Sequence, residues 1–338
     1  SLHDALPIFV PGDGKAEAVS GCEEHGLALH AGGVDGGEAD RHRAEGLAVL
    51  AGHLASVCEV TVLTRRPEHA EALNRDGLRI SGRSERHARV RASTRPDELP
   101  PPDVVIVATK ATGLREALQS LSGHYPEAIV VTVLNGLGAE EIVREHGDWQ
   151  IVSGVTFMSG TRHSDTHVEY ILDTETWLGP YEDTPFERVQ EIAALFASAG
   201  LEVEALPDLR PAQWSKLVFN AAVNPVAALT GLPHDRHFAA EEDPFDLGHL
   251  VHGLIDEGKA VAASAGVALH DDPWEMNVLA TRRGSAHYPS MLEDVEAHRP
   301  TEIDLITGSL LREAERHDVP VPLHAAVYAL VKGKEASW

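Results

Sequence analysis

The sequence predicts an α/β protein in which a doubly wound parallel-sheet domain precedes an all-helical C-terminal domain. Short apolar runs rich in Val and Ile alternate with helical patterns between residues 59 and 205, which is typical of a parallel sheet covered on both faces. After Pro207 the strand-like runs stop and long helical patterns follow. A chain of 338 residues also exceeds the comfortable size of one core, so two domains are expected.

Each element of the first domain follows from a local pattern of apolar residues. Strands are predicted at residues 59–63, 104–108, 129–133, 151–158, 168–172, 176–178 and 202–205. Helices are predicted at residues 67–76, 114–121 and 186–199, and an earlier helix is predicted to end near Leu54. The alternation of the two predicts a Rossmann-type, dinucleotide-binding domain over residues 47–206.

The second domain, residues 207–338, carries only helical patterns. They cover residues 212–229, 245–265, 290–297, 302–317 and 324–335. A doubly wound domain followed by a helical one is a dehydrogenase layout, in which we expect the helical part to hold substrate and catalytic groups.

The charge balance excludes several classes of partner. A net charge of −25 with only six lysines argues against nucleic acid. The same acid excess favours a protein from a salt-loving organism over a generic acidic protein. No apolar run approaches the ~20 residues of a membrane span, and the N-terminus lacks the pattern of a signal peptide. Cys22 and Cys58 do not form a metal-spaced set, and the histidines are scattered, so we expect a cytoplasmic protein without a metal.

A polar stripe interrupts one apolar helical pattern. Lys216, Asn220 and Asn224 recur at intervals of four and therefore share one helix face. A solvated face would usually carry charged residues in varied positions, and Asn is a poor helix former. One ammonium and two amides suit a cleft that holds a carbonyl or carboxylate group.

Four motifs, in order, carry a family resemblance. They are Thr109-Lys110, Leu134-Asn135-Gly136-Leu137-Gly138, the stretch Lys216-Leu-Val-Phe-Asn220-Ala-Ala-Val-Asn224-Pro225, and Ser290-Met-Leu-Glu-Asp294 followed by Thr301-Glu302-Ile303-Asp304. In order and spacing the chain from about Leu47 onwards resembles the ketopantoate reductase (2-dehydropantoate 2-reductase) family. The resemblance implies reduction of the ketone of 2-dehydropantoate by NADPH, which gives pantoate for pantothenate and coenzyme A biosynthesis.

The resemblance also implies roles for the motif residues. Lys216 is the expected proton donor to the oxygen that receives negative charge, because apolar surroundings favour release of its proton. Glu302 is the second catalytic residue and contacts cofactor and substrate; its alternative is a place in the first turn of a helix. Asn135, Asn220, Asn224 and Ser290 are expected to bind substrate, although Ser290 also fits a helix cap. A further polar residue of the family is replaced by His234.

Cofactor contacts are expected in the first domain and at its strand ends. Arg65 follows the second strand, where a basic residue suits the 2′-phosphate of NADPH. Lys110 and Asn135 follow later strands, and Gly160 matches a small residue near the family's cofactor. For Lys110 the alternative is a surface lysine, and for Asn135 a plain Asn-Gly turn.

Residues 1–46 depart from the family pattern. A GxGxxG loop should fall near His42, Ala44 and Leu47, but the nearest glycines are Gly32–Gly37, which follow a weak strand pattern at residues 27–30. One interpretation is a divergent, longer phosphate loop. The other, which we favour, is that this segment does not derive from the native reading frame, since its opening resembles translated sequencing-adapter sequence.

Three functional hypotheses follow. The first is an NADPH-dependent reductase of 2-dehydropantoate, with a small 2-oxo acid as its partner. The second is a related reductase of another 2-oxo acid, and the third is an inactive chain without a working cofactor loop. The sequence leaves the oligomeric state open, a homodimer included.

Overall fold

The computed structural model describes residues 26–31, 45–110, 113–172, 174–282 and 288–338. The chain divides into two compact units. Unit 1 contains the chain up to Leu134 and then Ala139–Leu209, whereas unit 2 contains Asn135–Gly138 and Arg210–Trp338. The predicted fold class is confirmed, because unit 1 is built on a largely parallel sheet and the regular elements described in unit 2 are helical.

Eight strands form the main sheet of unit 1. They are β1 (Gly26–Ala31), β2 (Glu59–Thr64), β5 (Arg91–Ser93), β6 (Val104–Val107), β7 (Ile129–Thr132), β8 (Gln150–Thr156), β11 (Thr176–Pro180) and β12 (Val203–Ala205). Their spatial order is β12-β11-β8-β7-β6-β1-β2-β5. The pairings from β5 to β8 are parallel, and β11 joins β8 in antiparallel orientation. The order reverses at β1, where open α/β sheets bind their ligands.

The first strand forms in spite of its weak pattern. Residues Gly26–Ala31 pair with the whole of β2 on one side, and Ala28 and Leu29 pair with β6 on the other. The weak pattern at residues 27–30 thus lies in a strand, because pairing on both sides supplies what local propensity lacks. The glycine cluster at residues 32–37 and the expected loop positions up to Ala44 lie outside the described residues.

A second sheet has four short strands, which were not all predicted. They are β3 (Leu78–Gly82), β4 (Arg86–Ala88), β9 (Ser159–Ser164) and β10 (His167–Leu172), in the order β4-β3-β10-β9. The pairing of β3 with β10 is parallel, whereas β9 and β10 form an antiparallel hairpin. Buried Ile80, Val168 and Tyr170 join this sheet to the core of unit 1.

The helices of unit 1 cover the sheet. They are α1 (Glu45–Leu54), α2 (Pro67–Asp76), α3 (Leu114–Leu121), α4 (Ala139–Arg144) and α5 (Phe186–Ser198). Two apolar clusters result: Leu50, Leu54 and Phe196 belong to one, and Leu114 and Leu118 to the other. Core packing on two sides explains why β6 is apolar at every position and β7 at all but its last, Thr132.

Unit 2 is built on helices around a long central one. They are α6 (Arg210–Thr230), α7 (Leu247–Ser264), α8 (Pro273–Thr281), α9 (Ser290–Glu296), α10 (Thr307–Arg316) and α11 (Pro322–Glu335). Helix α6 packs against each of the other five. It is buried over most of its length, so polar side chains on it are positioned by the surrounding helices. None of the helices in the described ranges has the length and apolar character needed to cross a membrane.

Helix α11 is capped by a side chain from α7. The carboxylate of Glu257 accepts hydrogen bonds from the backbone N–H groups of Leu323 (2.9 Å) and His324 (3.0 Å). It also contacts Nδ1 of the buried His324 ring at 3.0 Å. The first N–H groups of a helix lack partners within the helix, so a carboxylate from elsewhere stabilises this end.

Glu257→Ala is expected to lower the free energy of unfolding by about 2–4 kcal/mol at neutral pH. Burial raises the pKa of Glu257, but the hydrogen bonds from His324 and Leu323 outweigh it, and the pKa lies below the ordinary 4.5. The stabilisation is therefore complete above about pH 4.5 and is lost as the pH falls through the pKa of the folded state. Urea unfolding at pH 7 and at pH 3.5 checks both statements. Asp256→Asn, in an exposed neighbour on α7, is the control; equal losses for both variants would contradict the capping role.

Candidate functional site

The predicted polar stripe lies in the middle of α6. Lys216, Asn220 and Asn224 share one face of this helix, as the interval of four requires. Lys216 is half-buried, whereas Asn220 and Asn224 are 8% and 6% exposed. The neighbours Leu217, Val218, Ala221 and Val223 are buried in apolar clusters of unit 2. The stripe is therefore a polar line inside an apolar environment, which a solvated helix face would not be.

The amides of Asn220 and Asn224 have unused hydrogen-bonding capacity within the described part of the chain. Neither side chain makes a hydrogen bond to another residue in the described part of the chain. Both residues are mostly buried, but their amide atoms are not among the fully enclosed polar atoms that lack a partner in the described residues, so these amides border space that a ligand can enter. Two such amides one turn apart are suited to bind a polar ligand. Each amide can offer this ligand both a hydrogen-bond donor and an acceptor.

Ser290 is the first residue of α9, and its hydroxyl does not cap this helix. The N-cap position belongs to Pro289, and no side-chain hydrogen bond caps the helix there. The capping alternative for Ser290 is therefore wrong, because the helix starts one position earlier than a capping role would need. Since α9 packs directly against α6, the half-buried Ser290 is carried by a helix that contacts the one bearing the stripe.

Glu302 lies in a tight turn before α10. The predicted helix from residue 302 is wrong in its start, since α10 begins at Thr307. The backbone oxygen of Glu302 accepts from the N–H groups of Leu305 (3.1 Å) and Ile306 (3.0 Å), which closes the turn. The residue is only 5% exposed, and Asn135 Nδ2 donates to Glu302 Oε2 at 3.2 Å. Two residues predicted from separate motifs are thus brought together.

The segment Asn135–Gly138 belongs to unit 2 although the chain reaches it from β7. Gly136 has a φ of +89°, and a Cβ atom there would lie 2.0 Å from the backbone oxygen of Leu305. Only glycine allows both the left-handed backbone and this close approach. Gly136 therefore allows Asn135 to contact Glu302. The segment thus does more than form the plain Asn-Gly turn that was its alternative.

His234 is a core residue. It is 1% exposed, its Nε2 lies 2.8 Å from Oδ1 of Asn277, and its ring packs edge-on against Phe219 and Phe238. Burial lowers the pKa of His234, although the contact with Asn277 opposes the shift. The replacement of a polar family residue by His234 left one substrate contact open, and the structure encloses this imidazole between aromatic rings and pairs it with an amide.

In unit 1, Arg65 and Lys110 both lie beyond the carboxyl ends of strands of the main sheet. Arg65 comes directly after β2, and Lys110 lies three residues beyond β6; these two strands flank β1 and run parallel to it. The Arg65 side chain is 19% exposed and forms an ion pair with the exposed Glu116. Lys110 is only 6% exposed, so the surface-lysine alternative is wrong. Gly160 lies in β9, opposite Tyr170.

A second cluster of charges adjoins Arg65 in sequence. Arg66 Nη2 lies 2.6 Å from Asp165 Oδ1, and Arg162 forms an ion pair with the same carboxylate oxygen. Burial raises the pKa of Asp165, but the hydrogen bond from Arg66 and the charges of His69 and Arg162 lower it by more. The pKa of Asp165 therefore lies below its ordinary value. Sequence reasoning did not find Asp165 or Glu116, since nothing local marks an acidic residue as the partner of a distant arginine.

No group of three or more His, Cys, Asp or Glu side chains suited to a metal ion occurs among the residues that the structure describes. The groups gathered in unit 2 are instead an ammonium, amides, a hydroxyl and a carboxylate. Such a set can orient a small oxygen-rich molecule and exchange one proton with it.

Known proteins resemble the chain over most of its length. The family described as ketopantoate reductase PanE/ApbA matches residues 48–183, and its C-terminal part matches residues 208–335. The 2-dehydropantoate 2-reductase of Pyrococcus horikoshii is 30% identical over 290 residues, which cover 85% of this chain and 94% of that protein. A PanE/ApbA family ketopantoate reductase from Ralstonia eutropha has 26% identity and a TM-score of 0.75, covering 85% of this chain and 94% of that one. A D-mandelate dehydrogenase solved with NADH and anilino(oxo)acetate shares the fold, with a TM-score of 0.77 at 22% identity over 86% of this chain and 95% of that one. The chain therefore belongs to the ketopantoate reductase family and is an oxidoreductase of that family.

Proposed function

We propose that the chain reduces the ketone of 2-dehydropantoate to the alcohol of pantoate with NADPH, as a step of pantothenate and coenzyme A biosynthesis. The observation that carries this proposal is the stripe of α6, with two buried amides that have no side-chain partner in the described structure. The relatives named 2-dehydropantoate 2-reductase support the choice of substrate.

In this mechanism the substrate is held by polar groups of unit 2. The amides of Asn220 and Asn224 and the hydroxyl of Ser290 bind its carboxylate and hydroxyl groups, which replaces the hydrogen bonds that these side chains lack. NADPH, when bound, supplies the hydride that reaches the carbonyl carbon. Lys216 donates the proton that the resulting alkoxide oxygen needs. Glu302, oriented by Asn135, contacts both reactants and fixes their approach.

The two arginines beyond the carboxyl end of β2 fit a dinucleotide with a 2′-phosphate. Arg65 and Arg66 stand between the end of β2 and the first turn of α2, and both are held by carboxylates that an anion of higher charge can displace. A likeness in fold to the D-mandelate dehydrogenase solved with NADH supports a nicotinamide dinucleotide in general. The two arginines support NADPH in particular.

Arg65→Asp is expected to reduce the ratio of kcat/KM for NADPH over NADH by about 10-fold to 100-fold, because a like charge would face the 2′-phosphate. Steady-state kinetics with both cofactors measures the ratio. Arg75→Asp, in an exposed guanidinium of α2, is the matched control and should leave the ratio unchanged. Glu116→Gln, which removes the carboxylate of this ion pair, should keep or raise it. Equal kcat/KM for the two cofactors in the unaltered chain would rule this prediction out.

The choice of substrate is tested by NADPH oxidation with a panel of 2-oxo acids. Our proposal requires that 2-dehydropantoate have the highest kcat/KM. A higher value for another 2-oxo acid would show a related reductase of that acid, which is the second hypothesis. Absence of activity with every acid, in a chain that binds NADPH, would overturn the proposed reaction.

A further inference from the structure

The turn that carries Glu302 is tied to the last turns of α11 on both of its sides. Before Glu302, the backbone N–H and the hydroxyl of Thr301 both donate to Glu335 Oε1, at 2.8 and 2.7 Å. After Glu302, the Tyr328 hydroxyl donates to Asp304 Oδ1 at 2.6 Å, and Lys332 Nζ lies 3.0 Å from Asp304 Oδ2. We call Thr301, Asp304, Tyr328, Lys332 and Glu335 the α11 clamp.

The clamp is a closed ring. Lys332 Nζ also lies 3.0 Å from Glu335 Oε2, so one ammonium joins the carboxylates that hold the two sides of the turn. Burial raises the pKa of Asp304, but the hydrogen bonds from Tyr328 and Lys332 outweigh it and the pKa lies below its ordinary value, while the hydrogen bond to Glu335 raises the pKa of Lys332. Thr301 is 4% exposed and Glu335 is largely buried, so part of the ring is shielded from water and from salt.

The clamp acts on the first residues of this turn. Residues 302–306 are not part of a regular helix, and local hydrogen bonds to the Glu302 and Ile303 oxygens close their backbone. Farther along, the Leu305 oxygen accepts from the N–H of Leu137 and the hydroxyl of Ser309, whereas Ile303 N–H donates to the Thr301 hydroxyl that itself donates to Glu335. On the side of Thr301, the direction of the Glu302 carboxylate therefore depends on the polar ring.

We propose that α11 positions Glu302 for reaction through this clamp, with Glu335 as the principal positioning residue. One carboxylate oxygen of Glu335 accepts both hydrogen bonds from Thr301, and the other contacts the ammonium of Lys332. Asn135 then sets the carboxylate of Glu302, whereas Glu335 sets the backbone from which it projects. This inference rests on the role of Glu302 in the proposed function.

The test compares Glu335→Ala, Glu335→Gln and Glu302→Gln in the full chain. Hydrogen exchange of the amides of residues 302–306, followed by mass spectrometry, reports the turn and needs no cofactor. Glu335→Ala is expected to speed this exchange at least tenfold, whereas Glu335→Gln, which still accepts from Thr301, should rescue most of the protection. Glu313→Gln, which removes a half-buried carboxylate paired with Arg316 on α10, is the matched control.

Kinetics separates positioning from general destabilisation. Partial unfolding lowers only the concentration of active enzyme, and hence kcat, whereas a displaced Glu302 also changes KM. We expect Glu335→Ala to lower kcat/KM about tenfold or more with a change in KM. The change should largely vanish in a Glu302→Gln background, because the two residues act through one group.

Two results would overturn the inference: unchanged exchange of the turn in Glu335→Ala, or losses in kcat/KM that simply multiply in the double variant. If Glu302→Gln alone leaves the kinetics unchanged, the role of Glu302 in the proposed function fails instead. The exchange experiment still decides whether α11 holds the turn.

Discussion

Lys216→Ala is expected to lower kcat by about two to four orders of magnitude, which is the usual contribution of a general acid. The alkoxide that forms on reduction needs a proton, and Lys216 is the ammonium of the α6 stripe. The affinity for NADPH should change little, because the role assigned to Lys216 is toward the substrate oxygen. Steady-state and single-turnover kinetics in a chain that binds NADPH measure the effect.

Two further variants separate proton donation from charge. Lys216→Arg keeps the positive charge, but a guanidinium does not release its proton near neutral pH, so activity should stay low. Lys334→Ala removes another ammonium of unit 2, one that donates to the backbone oxygen of Ala228 at 3.0 Å, and should leave kcat near normal. Near-normal turnover of Lys216→Ala would show that another group supplies the proton.

Restoring a glycine loop is expected to tighten NADPH binding by about 100-fold or more. Residues 1–46 contain no GxGxxG sequence, and the family match begins only at residue 48. In dinucleotide-binding domains, backbone N–H groups of this loop and the following helix bind the pyrophosphate. Hydrogen bonds to a charged group contribute about 1.5–3 kcal/mol each, and about 1.4 kcal/mol corresponds to a factor of ten.

The experiment is a pair of NADPH titrations. One uses the 338-residue chain, and the other uses residues 47–338 preceded by an apolar strand and a GxGxxG loop. Tight binding only in the second would support the third hypothesis, an inactive chain without a working loop. Micromolar binding by the unaltered chain, on the scale common for enzyme substrates, would show that its glycine cluster serves as a phosphate loop and that our interpretation of residues 1–46 is wrong.

Local chemistry explains which elements could be predicted from the sequence. The bounds of α2 and α3 agree with the predictions, since Pro67 fits the first turn of α2 and Gly77 ends it with a φ of +71°. The stripe of α6 could be found because its spacing is a property of a single helix. The fold class needed only the alternation of apolar strands and helices.

Structure that depends on distant residues could not be predicted in the same way. Strands β4 and β9 are short and rich in Arg, His and Ser, so their extended state comes from pairing with β3 and β10 and not from an apolar pattern. The start of α10 was misplaced because Thr301 is bound by Glu335, 34 residues further on, and a turn follows it in place of a helix. The place of His234 in the core could not be foreseen, since its partner Asn277 is marked by nothing in its own neighbourhood.

The four residues Asn135–Gly138 have a consequence for the modularity of this enzyme. They interrupt unit 1 in the sequence but belong to unit 2, where Leu137 packs against the apolar core and Asn135 holds Glu302. A helical fragment cut at Arg210 would therefore lose a piece of its own interior and the amide that donates to the buried carboxylate of Glu302. If residues 210–338 were exchanged for those of a relative, Asn135–Gly138 would remain from the original chain and would have to pack into a foreign helical unit. Recombination at the apparent boundary is therefore expected to disturb unit 2. Each unit packs around its own core, but the two cannot be inherited as independent parts, because a segment of one is encoded within the other.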